Sequence, residues 1–245
     1  MSQSKKISVA TAIFLSIAFL SMTISPALSA TFDPNLRLAS NYSLNWSGYA
    51  VTGPAGSVTT VTGSWTVPTV TPTKGGYKYA AFWAGIDGFS SNTVEQAGVL
   101  AISNGKTVSY SAWYEFYPAP MVTIPSITIT PGDTVTVTVT YVGNDQFTIT
   151  LSDDSDTFSI TQTVSGAARS SAEWIVERPS IGRSITKLAD FGTASFYSCT
   201  ADGTSLSAPI DITMVNNRGQ TLAAPSTLTT TETGYSFSVT YYKSS

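Results

Sequence analysis

The chain has 245 residues with no histidine and one cysteine, and its 12 basic and 15 acidic residues give a net charge of −3. The lack of histidine excludes Ser-His-Asp and Cys-His catalysis and histidine-ligated zinc, and a single cysteine excludes an intrachain disulfide. No cofactor is expected, and the absence of a basic patch argues against nucleic acid as a partner. An enzyme of this composition must therefore use carboxylates, amides, hydroxyls, lysine or tyrosine.

The first thirty residues have the pattern of a secretory signal peptide. Two lysines precede a largely apolar run over 7–24, and the small residues at 26–30 indicate a cleavage region. We therefore expect a secreted, extracellular protein that has no membrane contact after residues 1–30 are removed, because no later segment is long and apolar enough to span a bilayer. Residues 31–44 are polar and patternless, and are predicted to be a short pro-segment or a disordered arm.

Charged residues make up only 11% of the chain. Acid unfolds proteins by protonating carboxylates on which native contacts rely and by leaving the cations to repel one another. Because this chain has few cations, that repulsion is small. We hypothesise a protein that works in an acidic exterior.

Residues 45–245 are predicted to form one domain of short strands. Alternating apolar and polar residues mark the strands, and dipeptides such as Asp87-Gly88 and Asn104-Gly105 mark turns between them. The predicted strands cover 57–67, 77–86, 94–102, 108–117, 127–130, 134–142, 147–151, 158–164, 170–179, 191–198, 210–215 and 235–242. One helical turn is predicted at 185–190. Many short strands without helix–strand alternation predict an all-β sandwich.

The segment 170–179 places a carboxylate on a rigid element. It is predicted to be a strand that ends at a proline, which cannot donate a ladder hydrogen bond. Side chains alternate along a strand, so Ala172, Trp174 and Val176 share an apolar face and Glu173 points to the other face. A fixed carboxylate suits acid–base chemistry, although half-solvated sheets also carry glutamates on their wet face without function.

Two neighbouring strands add further candidates. Trp113 and Glu115 share one face of the strand 108–117, a mixture that suits the floor of a binding groove but also fits a surface strand with incidental aromatics. Gln96 lies in an otherwise apolar row of the strand 94–102. Its amide is either a buried group with a structural partner or an oxyanion donor that faces a groove.

Taken together, the motifs resemble the glutamic peptidases, also called eqolisins, from about residue 45 to at least 196. The segments that carry the resemblance are 45–48 (Asn-Trp-Ser-Gly), 83–88 (Trp-Ala-Gly-Ile-Asp-Gly), 95–99 (Glu-Gln-Ala-Gly-Val), 113–118 (Trp-Tyr-Glu-Phe-Tyr-Pro) and 172–177 (Ala-Glu-Trp-Ile-Val-Glu). The resemblance implies a secreted acid endopeptidase built as a β-sandwich of two antiparallel sheets, of the concanavalin A-like or jelly-roll type. It places the family's catalytic glutamine on Gln96 and its catalytic glutamate on Glu173.

The same resemblance implies a substrate groove lined by aromatic and acidic side chains. These positions fall on Trp46, Trp83, Asp87, Trp113 and Glu115. The implied partners are protein or peptide substrates, and we expect the enzyme to be a monomer. The chain departs from the fungal members of the family because serines stand near the two catalytic strands where those enzymes have bridged cysteines.

The implied mechanism uses the two side chains in turn. Ionised Glu173 takes a proton from the water that attacks the peptide carbonyl, and the amide of Gln96 hydrogen-bonds the developing oxyanion. Protonated Glu173 then donates its proton to the leaving nitrogen. A glutamate base without a histidine partner works best in acid, where both of its protonation states are accessible.

Two other functions fit a secreted β-sandwich with an aromatic groove. A carbohydrate-binding module or lectin would bind glycans without any need for Glu173. A glycoside hydrolase would use a carboxylate pair, for example Glu115 with Glu173, and would lose sugar cleavage when either is replaced.

Overall fold

The computed structural model describes residues 30–31, 37–39 and 41–244. All regular elements in these ranges are strands: β1 (Ala30–Thr31), β2 (Arg37–Ala39), β3 (Tyr42–Ser43), β4 (Trp46–Thr52), β5 (Val58–Thr66), β6 (Lys78–Ile86), β7 (Val94–Ser103), β8 (Val108–Tyr117), β9 (Val122–Thr123), β10 (Thr134–Gly143), β11 (Gln146–Ser152), β12 (Thr157–Thr163), β13 (Ser171–Glu177), β14 (Ser180–Ile181), β15 (Ser184–Ile185), β16 (Thr193–Gly203), β17 (Ile210–Val215), β18 (Thr221–Pro225), β19 (Thr229–Thr231) and β20 (Gly234–Tyr241). The predicted all-β class is confirmed. The predicted signal peptide lies outside the described residues except for Ala30.

The strands form two antiparallel layers. Sheet 1 has the order β9-β8-β7-β6-β13-β4-β17, and sheet 2 has the order β12-β11-β10-β5-β16-β20-β18. Strand β17 pairs with both β4 and β18 and so joins the two layers at one side. The short strands β1, β14 and β15 form a separate three-stranded sheet.

The main core lies between the two sheets. Strand β10 shows how alternation builds it, since Val135, Val137 and Val139 are fully buried. The threonines between these valines face the other way, and Thr138 hydrogen-bonds through its hydroxyl to Thr62 of β5. Burying one apolar face of each sheet against the other is what holds a sandwich together.

Sheet 1 is unusual because its outer face is also apolar. A second buried cluster lies there and includes Trp46, Trp83, Trp113, Leu100 and Ile175. Strands that are buried on both faces carry near-continuous apolar runs, as β6 does with nine consecutive buried residues. Polar side chains on this outer face are therefore removed from bulk water.

Three local predictions differ from the structure. The predicted helical turn at 185–190 is wrong: the backbone there is extended, and Leu188 and Asp190 form bridges with Tyr79 and Thr71. The reason is tertiary, because Leu188 and its neighbour Ala189 are buried and pair with the edge of β6. The predicted strand at 127–130 has the right alternation but no pairing partner. Strand β4, which pairs with β13 and β17 in sheet 1, and the shorter strands β9, β14, β15, β18 and β19 were not predicted.

The predicted arm at 31–44 is partly visible. Strand β2 pairs with β3, and β3 runs parallel to β17 through the pairs Tyr42↔Thr213 and Ser43↔Met214. In the described part of the chain, no helix is long and apolar enough to cross a bilayer.

Candidate active site

The outer face of sheet 1 brings several predicted site residues into adjacent cross-strand rows. One row runs from Glu115 of β8 through Gln96 of β7 and Gly85 of β6 to Glu173 of β13. The next row contains Trp113, Gly98, Trp83 and Ile175 in the same strand order. Strand alternation places the side chains of both rows on one face.

Gln96 and Glu115 form the first contact of the site. The Nε2 atom of Gln96 donates a hydrogen bond of 2.7 Å to Oε2 of Glu115, and both residues are fully buried. Burial raises the pKa of the Glu115 carboxyl to about 8, although the Gln96 donor opposes the rise. The remaining side-chain oxygens, Oε1 of Gln96 and Oε1 of Glu115, have no hydrogen-bond partner. Buried polar atoms without partners are rare and mark places where function competes with stability.

Glu177, the last residue of β13, is the second acidic centre. Its Oε1 accepts a 3.0 Å hydrogen bond from Asn45 Nδ2, and its Oε2 accepts one of 2.9 Å from Trp83 Nε1. Trp46 adds a further hydrogen-bonding contribution and packs edge-to-face on Trp83 with ring centroids 5.0 Å apart. The hydroxyl of Ser43 donates to Asn45 Oδ1 at 2.9 Å, so the Asn45 amide is held with its NH2 group toward the carboxylate.

Two opposing effects act on Glu177. Complete burial raises the pKa of its carboxyl well above the ordinary value, and the nearby charge of Glu115 raises it further. The donors Trp83, Asn45 and Trp46 lower it by stabilising the ionised form. The electrostatic link to Glu115 connects Glu177 to the Gln96–Glu115 pair, so these three polar groups form one site.

Glu173 has different surroundings. Neither of its carboxylate oxygens has a hydrogen-bond partner by distance and angle, and the side chain is fully buried. Burial raises the pKa of Glu173 well above its ordinary value; Ser171 and the backbone of Phe89 lower it, and the charges of Asp87 and Glu95 raise it further. The charges that act on Glu173 are therefore those of Asp87 and Glu95, whereas the charge of Glu115 acts on Glu177.

Asp87 acts at a turn. It has a left-handed backbone with φ of 70°, and its carboxylate accepts hydrogen bonds from the backbone N–H groups of Arg169 (2.6 Å) and Ser170 (2.8 Å). These bonds fix the entry of β13 against the end of β6. Because both carboxylate oxygens are engaged with backbone, the contacts of Asp87 are structural ones.

The structure places six of the seven residues that the sequence singled out on the outer face of sheet 1: Trp46, Trp83, Gln96, Trp113, Glu115 and Glu173. Glu173 lies in the cross-strand row of Gln96 and Glu115, Glu177 lies two rows away along β13, and Asp87 lies at the turn that follows β6. Sequence reasoning assigned no role to Glu177. A signal was available, because Glu177 stands four residues after Glu173 in one strand, and the period of two places both side chains on the same face.

Comparison with known proteins identifies the family. Residues 44–241 match the model of the Peptidase A4 family. Aspergillopepsin-2 of Aspergillus niger is 35% identical over 201 residues, which cover 71% of this chain and 70% of the relative. Scytalidopepsin B of Scytalidium lignicola is 30% identical over 196 residues, which cover 72% of each chain.

Solved structures show the same fold. A scytalido-glutamic peptidase crystallised with a transition state analog inhibitor superposes with a TM-score of 0.67 at 22% identity, over 81% of this chain and 98% of that chain. The crystal structure of aspergilloglutamic peptidase from Aspergillus niger gives a TM-score of 0.54 at 30% identity, over 67% of this chain and 99% of that chain. The predicted β-sandwich is thereby confirmed. This chain belongs to the Peptidase A4 family, the glutamic peptidases or eqolisins, and is a glutamic endopeptidase.

Proposed function

We propose that this protein is a secreted acid endopeptidase that cleaves proteins and peptides through a glutamine–glutamate dyad, and that the dyad is Gln96 with Glu177. The observation that carries the choice of Glu177 is its donor set. Asn45 and Trp83 donate hydrogen bonds of 3.0 and 2.9 Å to its two oxygens, and the charge of Glu115 acts on it. Glu173 has weaker support, from Ser171 and the backbone of Phe89, which lower its pKa without forming hydrogen bonds of good geometry. A general base must be stabilised as an anion and positioned, and the two hydrogen bonds of Glu177 do both.

In the proposed mechanism, ionised Glu177 takes a proton from a water molecule as the water oxygen attacks the peptide carbonyl. The carbonyl oxygen becomes an oxyanion and is stabilised by the second N–H of the Gln96 amide, since the first is bound to Glu115. Protonated Glu177 then transfers its proton to the leaving nitrogen as the C–N bond breaks. The water proton thus passes to the amine product, and Glu177 returns to its ionised state.

Glu115 supports this cycle in two ways. Its hydrogen bond fixes the orientation of the Gln96 amide. Because burial raises the pKa of Glu115 to about 8, Glu115 is neutral in acid, and a neutral Glu115 no longer adds to the rise in the pKa of Glu177. At higher pH, ionised Glu115 places a second negative charge near Glu177, and two close carboxylates titrate as a coupled pair. This supports a loss of activity as the pH rises toward 8.

The decisive experiment compares two matched variants. An unfolded protein substrate is digested from pH 2 to 7 by the wild type, Glu177→Gln and Glu173→Gln, and the fold of each is checked by circular dichroism. Loss of the general base lowers the rate by roughly a hundredfold to ten-thousandfold, so we expect Glu177→Gln to be nearly inactive and Glu173→Gln to keep most of its activity. The reverse result would restore the sequence-based assignment to Glu173 and overturn ours.

A third variant tests the oxyanion donor. Replacing Gln96 with alanine removes the amide that stabilises the developing charge, and losing one such donor costs about a hundredfold to a thousandfold in kcat. Full activity in a folded Gln96→Ala protein would refute the dyad altogether.

We also propose that the enzyme is exported by residues 1–30 and acts as an extracellular monomer. If an arm is removed on maturation, cleavage is expected before Tyr42. The Ser43 hydroxyl accepts hydrogen bonds from the backbone N–H groups of Asn45 (3.2 Å) and Trp46 (3.1 Å), so removing it would loosen the support of Glu177. N-terminal sequencing of the secreted enzyme tests this boundary, and a mature start at Asn45 would contradict it.

A further inference from the structure

A second polar cavity lies where the chain leaves β13. Its volume is about 620 Å³, and its lining includes Arg178, Arg218 and the amides of Asn216, Asn217 and Gln220. No carboxylate is found among the described residues that line it. Two cations without an acidic residue among the described lining residues are unexpected in a chain that carries more acidic than basic residues.

Arg178 forms the buried end of this cavity. Only 5% of its surface is exposed. Its Nε donates to the carbonyl oxygen of Leu44 at 2.7 Å and its Nη1 to that of Thr186 at 3.4 Å. Burial lowers the pKa of the guanidinium to about 10, and no carboxylate among residues 41–244 contributes an opposing effect. In acid, Arg178 is therefore a buried cation whose charge is not neutralised by any neighbour among residues 41–244.

A buried charge is expensive unless it is paired. Two neutral carbonyls satisfy two of the five N–H donors of Arg178, and none of residues 41–244 is seen to compensate its charge. The guanidinium fork matches the oxygens of carboxylate and phosphate groups, and side-chain amides supply further neutral donors. Arg218, which is exposed, offers a second cation on the same cavity.

We propose that this cavity is a binding site for a small oxyanion, held between Arg178 and Arg218. The same chemistry is present in inorganic phosphate or sulfate and in the terminal carboxylate of a peptide. The site is separate from the Gln96–Glu177 dyad, because none of the dyad residues lines the cavity.

The anion site adjoins the segment that supports Glu177. Arg178 directly follows Glu177, and its backbone N–H donates to the carbonyl of Asn45 at 3.0 Å. Its side chain holds the carbonyl of Leu44, the residue before Asn45. An oxyanion on Arg178 would therefore steady the backbone that presents the Asn45 amide to Glu177.

Thermal unfolding tests the proposal without relying on peptidase activity. The wild type is melted at pH 5 and constant ionic strength in chloride, in phosphate, and with a short peptide bearing either a free or an amidated C-terminus. A ligand that binds only the folded state raises Tm with concentration. We expect phosphate or the free-acid peptide to raise Tm above the chloride value. A response to phosphate alone identifies a free inorganic anion, and a response to the free acid but not the amide identifies a peptide carboxylate.

Two arginine variants provide the matched comparison. Arg218→Gln removes an exposed cation of the site and is expected to weaken the anion affinity about tenfold, the worth of one charge-assisted hydrogen bond. Arg183→Gln removes an exposed cation from the β14–β15 turn, which does not line the cavity, and should leave the affinity unchanged. Equal anion responses in these two variants, or no response above chloride in the wild type, would overturn the proposal.

Discussion

The stability of this protein should fall as the pH rises from about 4.5 to 8. Four fully buried glutamates on sheet 1 have pKa values raised by burial: Glu95, Glu115, Glu173 and Glu177. A carboxyl whose pKa is raised in the folded state stabilises that state fully below its unfolded pKa. The stabilisation is lost as the pH rises through the folded pKa, because the unfolded chain then releases protons that the folded chain retains.

The size of this pH effect on stability can be worked out for Glu115. Its carboxyl goes from an ordinary pKa of 4.5 to about 8 in the fold. At about 1.4 kcal/mol per pH unit, that difference costs the folded state about 5 kcal/mol by pH 8. A whole domain is usually stable by only about 5 to 15 kcal/mol. Because the other three glutamates act in the same direction, unfolding near neutral pH is expected.

Urea unfolding at several pH values between 3 and 8 measures this effect. Glu95→Gln is the informative variant, since Glu95 lies on the opposite face of β7 from Gln96 and both of its oxygens lack partners. An amide of the same shape cannot ionise, so the loss of stability with pH should be shallower in this variant. Glu232→Gln, at an exposed site, should behave like the wild type. A wild-type free energy of unfolding that is constant or rises from pH 5 to 8 would refute the reasoning, as would identical slopes in both variants.

Three further changes test the site and its frame. Trp83→Phe removes the N–H that donates to Glu177 at 2.9 Å and so should raise the pKa of Glu177. The acid limb of the pH–rate profile should then move to higher pH, and kcat should fall roughly tenfold to a hundredfold. An unchanged profile would contradict the role of this donor. Gly98→Ala places a methyl group 2.0 Å from the backbone carbonyl oxygen of Phe82 on the neighbouring strand β6. This overlap should lower the free energy of unfolding in urea by at least about 1 to 3 kcal/mol. An unchanged urea midpoint would show that the sheet can move aside. Asp87→Ala removes two charge-assisted hydrogen bonds to the backbone N–H groups of Arg169 and Ser170 and should lower the free energy of unfolding by about 3 kcal/mol. A raised KM in a fully stable variant would instead favour the substrate-binding role predicted from the sequence.

Much of the fold could be predicted because each strand carries its own alternation. The bounds of β8, residues 108–117, were predicted without error, and those of β7 and β10 to within one residue. The prediction failed where alternation had no partner, as at 127–130, or where tertiary pairing extended a short segment, as at 185–190. The local sequence pattern indicates which face of a strand a side chain occupies, but it does not indicate whether another strand is available to pair with that strand.

The sequence also placed most of the site. Composition excluded histidine and left carboxylates, amides, hydroxyls, lysine and tyrosine as the available catalytic groups, and strand parity put Trp113 with Glu115 on one face. The resemblance to the glutamic peptidases, shown by the family match, named the residues around that face. These conclusions needed only residue types, their order and the period of two.

Which glutamate of β13 meets the donors was decided by the tertiary structure. Glu173 and Glu177 have the same residue type, strand and face, so no local rule separates them. They differ because Asn45, 132 positions from Glu177, and Trp83, 94 positions from it, come to β13 on neighbouring strands and reach only its last residue. Sequence alone indicated that a carboxylate would stand on one face of this strand, because patterning is local, but its complete burial was shown only by the structure. Its hydrogen-bond partners and its charge environment depended on strand neighbours that only the folded chain brings together.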